Sequence, residues 1–138
     1  MEQATSERQV TRDKQQTTNN GAQAHRRLLV WQRADELAYQ VYQATSSFPD
    51  DERFGLISQM RRASVSVPAN IVEGYACSTA KERCRFYGIA RSSLAELEYY
   101  IDFTYERLRY LNQGTFDQLS ALRQEVGRLL HGFIRASR

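Results

Sequence analysis

Residues 79–111 read TAKERCRFYGIARSSLAELEYYIDFTYERLRYL, and this stretch decides the fold. Phe86, Ala90, Ser93, Leu97, Ile101, Thr104, Leu108 and Leu111 recur at steps of three and four, the period of a helix with one apolar face, sustained over about seven turns. Thr79-Ala80-Lys81-Glu82 opens it as a capping box, in which hydroxyl and carboxylate satisfy free backbone amides. Asn112-Gln113-Gly114 is expected to stop it in a left-handed turn.

The same period extends outward in both directions. Downstream, Thr115-Phe116-Asp117-Gln118 reads as a second capping box, followed by Leu119, Leu122, Val126, Leu129 and Phe133 at heptad spacing. Upstream, Val30, Ala34, Leu37 and Val41 mark a helix over about residues 30–46 with Trp31, Ala38 and Tyr42 beside the stripe, ended by Phe48-Pro49. Between them, Asp50 or Asp51 is expected to cap a helix with the stripe Ile57, Met60, Ser64, Val67 and Ile71. Pro68 lies in that stripe, where its missing amide hydrogen and its clash with the Ser64 carbonyl predict a kink or break.

Four amphipathic helices with short connections predict an all-α, antiparallel up-and-down four-helix bundle over residues 28–138. Residues 1–27 are rich in Gln, Thr and Asn, nearly lack large apolar side chains, and read as a flexible polar tail. With 138 residues, 41% of them apolar, 7 Gly and 2 Pro, the chain has room for one domain and argues against a turn-rich β fold.

The net charge is +3, of which the first 27 residues hold +2, so any attraction to phosphate in the bundle must come from arrangement. The last helix supplies one: Gln124, Arg128, His131, Arg135 and Arg138 lie opposite its leucine stripe, at spacings suited to successive phosphates. Arg61, Arg26 and Arg27 are candidate additions to this nucleic-acid surface. The bland alternative is a solvated face with cations near the negative end of the helix dipole.

On a helical wheel Tyr99, Phe103 and Tyr110 share a flank away from the Leu97/Leu108 stripe, which predicts a second buried surface formed with another copy of the chain. The alternative is a widened intrachain core. Arg62, Ser66, Asn70 and Glu73 form a polar row, read as a structural hydrogen-bond network at the Pro68 kink rather than as a ligand site, with Glu96 and Glu98 as candidate partners.

Catalytic signals are lacking: there is no Gly-rich phosphate loop, no HExxH and no serine with a histidine and acid in pattern, so a non-enzymatic protein is expected. Cys77 and Cys84 read as reduced thiols, and His25 and His131 are not spaced as metal ligands, so neither metal nor cofactor is expected. No window suits a membrane span, and the cytoplasm is the expected compartment.

The run from Phe48 to Ile101, FPDDERFGLISQMRRASVSVPANIVEGYACSTAKERCRFYGIARSSLAELEYYI, closely resembles the bacterial four-helix-bundle proteins encoded within intervening sequences of 23S ribosomal RNA genes. Its most specific elements are the spaced residues Phe48, Pro49, Glu52, Gly55, Leu56, Gln59, Arg61, Arg62, Ala63, Ser66, Pro68, Asn70, Ile71, Glu73 and Gly74, and the later IARSSLAELE. The resemblance covers about residues 28–135 and implies a bundle that assembles as a homopentamer. A similar bundle is the accessory variability protein of diversity-generating retroelements, which implies partners in RNA or DNA and a reverse transcriptase. This chain departs from that protein in sequence and carries less charge. The expectation is thus a homo-oligomeric scaffold holding nucleic acid electrostatically; the alternatives are the retroelement accessory subunit and an assembly protein without nucleic-acid affinity.

Overall fold

The structure, a computed structural model, describes residues 23–138. It is all-helical, with α1 over Leu29–Thr45, α2 over Leu56–Ala76, α3 over Ala80–Glu106 and α4 over Gln113–Ala136. Each helix packs on its neighbours in sequence and α4 closes on α1, whereas the diagonal pairs do not meet, so the four rods form an up-and-down bundle around one core. Its interior holds Leu37, Met60, Val67, Ile71, Tyr87, Leu97, Ile101, Leu119, Val126 and Leu130.

The first two stripes fold as expected. Val30, Ala34, Leu37 and Val41 are buried on α1, and Met60, Ser64, Val67 and Ile71 on α2, with Ile57 partly so. Between these helices the cap differs from expectation: Asp50–Glu52 form a 3-10 turn, and Glu52 rather than Asp50 or Asp51 accepts a hydrogen bond from the Leu56 amide at 3.3 Å. Pro68 does not break α2, which runs through it to Ala76 with the Pro68 ring buried. The proline removes one rung of the hydrogen-bond ladder, and packing of α2 against both α1 and α3 holds the turns on either side.

The register shifts by one residue on the other two helices. On α3 the buried positions are Tyr87 and Leu94 in place of Phe86 and Ser93, and on α4 they are Leu130 and Ile134 in place of Leu129 and Phe133. A straight helix turns once per 3.6 residues, so a strict heptad reading drifts around its surface. Half of the expected capping box of α3 is present: Thr79 accepts from the Glu82 amide at 3.3 Å, while no return bond from the Thr79 amide to the Glu82 carboxylate forms among the described residues. The expected end is not: α3 stops at Glu106, and Arg109 at φ 60 turns the chain. Gly114 therefore lies inside α4 rather than at a left-handed stop, and the cap of α4 is Asn112, whose Oδ1 accepts from the Thr115 amide at 2.8 Å.

Order begins before residue 28. Ala24–Arg27 form a 3-10 turn held on α1: the Gln32 amide donates to the Arg26 carbonyl at 2.7 Å, and the His25 ring meets Trp31 edge-on at 4.9 Å. Residues 1–22 of the expected tail lie outside the described residues. Among the described residues no helix is long and apolar enough to cross a membrane.

Candidate nucleic-acid interface

The outer face of α4 follows from its inner one. Because Leu119, Leu122, Val126, Leu130 and Ile134 are buried against the other helices, Gln124, Arg128, His131, Arg135 and Arg138 are left exposed. Arg128, Arg135 and Arg138 have no carboxylate within ion-pair distance among the described residues. Other arginines are committed. Arg33 forks onto Glu125 with contacts of 2.9–3.1 Å, tying α1 to α4, and Arg123 pairs with Glu98 at 3.2 Å, tying α4 to α3.

Arg61 is committed too. Its Nε donates to Thr45 Oγ1 at 2.9 Å and a terminal nitrogen to the Tyr42 carbonyl at 3.3 Å, while its guanidinium lies 4.6 Å from the Tyr42 ring centre. It thereby caps the C-terminus of α1, on a helix that packs against α1 and α3 rather than α4. Arg26 and Arg27 are exposed near the start of α1, with Arg26 over the Trp31 ring at 5.7 Å.

The polar row of α2 faces α3. Ser66 and Ser93 share a hydrogen bond of 2.8 Å, and the Asn70 amide donates to the Ser66 carbonyl and hydroxyl at 2.7 and 3.0 Å. Arg62 contacts Gln59 and pairs with Glu96 at 3.5 Å, and Glu96 accepts from the Tyr100 hydroxyl at 2.8 Å. That hydrogen bond, more than burial, raises the Tyr100 phenol above its ordinary range. Glu73 stands apart: it is exposed, and only its backbone carbonyl is engaged, by the Cys77 thiol at 3.3 Å.

The three grouped aromatics divide. Tyr99 is 61% exposed and stacks on Phe103 at 5.8 Å, one turn along α3. Tyr110 lies beyond the end of α3, packs on Phe48 at 5.1 Å and donates to Glu52 at 3.3 Å. It is partly buried against the core of its own chain and does not share the flank of Tyr99, because the wheel that joined the two assumed a helix running on to Leu111. Sequence reasoning also missed Lys81, Arg85 and Arg91, three exposed cations of α3, although the run KERCR at its start was the available signal.

A cleft of about 340 Å³ between α1 and α4 is lined chiefly by amides and hydroxyls, among them Gln40, Gln43, Asn112 and Gln118. A second, about 300 Å³, contains Asp102, whose carboxyl is pushed up by burial and by Glu106 and Glu98 nearby. Among the described residues no His, Cys, Asp or Glu group gathers as metal ligands.

The architecture defines an up-and-down four-helix-bundle protein whose α4 carries exposed arginines without a carboxylate partner among the described residues. The chain belongs to the 23S rRNA-intervening sequence protein family, whose model matches residues 26–132. Its fold is similar to that of a protein of unknown function from the S23 ribosomal protein family of Bacteroides thetaiotaomicron, with a TM-score of 0.68 and 21% identity over 77% of this chain and 98% of that one. No curated protein matches this sequence.

Proposed function

We propose that this protein is a non-enzymatic, self-associating bundle that binds nucleic acid through the outer face of α4 and serves as a scaffold in a nucleoprotein complex. The observation that carries the reading is that Arg128 and Arg135 on the outer face of α4, and Arg138 just past its end, are exposed without carboxylate partners among the described residues. Cations left unpaired near a helix C-terminus can attract phosphate, with no base-reading element required. Self-association supports this, because copies of a weak patch held together act with avidity, and the exposed Tyr99–Phe103 stack is the candidate contact. Five subunits is the number implied by the family resemblance.

Changing Arg128 and Arg135 together to Gln tests the reading by fluorescence anisotropy on a labelled RNA hairpin. Affinity is expected to fall and the slope of log affinity against log salt to flatten by about 1.5, with helicity unchanged. Undiminished affinity removes α4 as the binding surface.

A further inference from the structure

The bundle is electrically polarised along its axis. Contacts fix which residues share a level: Ser66 meets Ser93, Tyr87 meets Phe133 and Thr45 meets Arg61. One half consists of residues 23–37, 67–93 and 125–138, and carries ten Lys and Arg against five Asp and Glu. The other, residues 38–66 and 94–124, carries six against eight. The described chain is thus +5 at one end and −2 at the other. With 27 residues α3 is about 40 Å long, several times the screening length of about 8 Å at physiological salt, so a polyanion meets two distinct ends.

At the basic end the cations continue from α4 onto α3. Tyr87, Leu94 and Glu98 form the row of α3 that faces α4: Tyr87 packs on Phe133 at 4.8 Å, Glu98 pairs with Arg123, and a Cβ placed on Gly127 would touch Leu94 at 3.7 Å. Arg91 occupies the same row and is exposed, so it emerges at the α3–α4 seam, level along the bundle axis with the turn of α4 that carries Arg128 and His131. Lys81 is exposed nearer the end, on the outer side of α3 at the level of Arg138. Glu125, an acidic residue of α4 in this half, is already clamped by Arg33.

Resting on the α4 reading above, we infer that the nucleic-acid surface is the basic end of the bundle astride the α3–α4 seam, with Lys81 and Arg91 contacting phosphates together with Arg128, Arg135 and Arg138. The acid-rich end disfavours phosphate, and its exposed cations Arg53 and Arg107 take no part.

Two charge-matched variants of the full chain test this, K81Q/R91Q at the basic end and R53Q/R107Q at the other, each titrated with a fluorescein-labelled RNA hairpin and with a DNA duplex over a range of salt. Circular dichroism checks that both variants fold. For whichever probe binds, K81Q/R91Q is expected to weaken binding roughly tenfold and flatten the salt slope by about 1.5, while R53Q/R107Q stays within about twofold of the parent chain. Equal losses in the two variants, or no loss in K81Q/R91Q, overturn the seam while leaving nucleic-acid binding in place. Failure of the unaltered chain to bind either probe overturns the α4 reading and the seam with it.

Discussion

Gly74 of α2 lies against the Tyr87 ring and the backbone of α3. A Cβ there would run into the Tyr87 ring, 2.8 Å from Cδ1, and lie 3.1 Å from the Arg83 carbonyl oxygen. Tyr87 is fully buried, packs on Phe133, and has its phenol pushed up to about 12 by that burial, so its ring has no solvent to swing into. Gly74→Ala is therefore expected to destabilise the fold by about 1–3 kcal/mol through overpacking, outweighing the gain of about 1 kcal/mol that alanine brings to a helix interior. The check is a urea titration, in which a lower midpoint at unchanged slope is expected; a higher midpoint means that propensity governs the site. The same scale separates the arginines. Arg61, Arg62 and Arg128 look alike in sequence, and only the packing of α2 between α1 and α3 turns Arg61 into a helix cap and gives Arg62 the Glu96 carboxylate, while Arg128 is left exposed.

At the scale of elements, the connection from α3 to α4 depends on two residues. Arg109 holds φ 60, a left-handed conformation that strains a side chain bearing Cβ, and Asn112 caps the first turn of α4. Arg109→Gly is expected to raise stability by about 1 kcal/mol, and Asn112→Ala to lower it by about the same amount, both read from thermal unfolding. If the Asn112→Ala change costs nothing, the cap is not the start signal of α4. Helix number and order, and the inner faces of α1 and α2, were legible in the sequence because apolar spacing states them directly, whereas the heptad reading drifted by one residue on parts of α3 and α4. The end of α3 was not legible: Leu108 and Leu111 continue the apolar period past Glu106, and Leu111 is buried from the turn rather than from the helix. The same error joined Tyr110 to Tyr99, so the candidate contact between copies is the pair Tyr99 and Phe103.

Taken as a whole molecule, the bundle keeps its two candidate surfaces apart. Tyr99 and Phe103 lie in the half of α3 belonging to the acid-rich end, whereas Lys81, Arg91, Arg128, Arg135 and Arg138 lie in the basic half. Association through the aromatic stack would leave the basic ends open and set several of them side by side, converting weak phosphate contacts into one avid surface. Replacing both rings, Tyr99→Ser with Phe103→Ser, is expected to lower the solution mass toward that of a single chain by light scattering. Phe103 is only partly buried and Tyr99 mostly exposed, so helicity should be retained. Affinity for a labelled RNA hairpin should fall along with the mass although no cation has been touched. An oligomer of unchanged mass would move the subunit contact elsewhere on the surface, and a dissociated chain that binds as tightly as the parent would show that one basic end suffices.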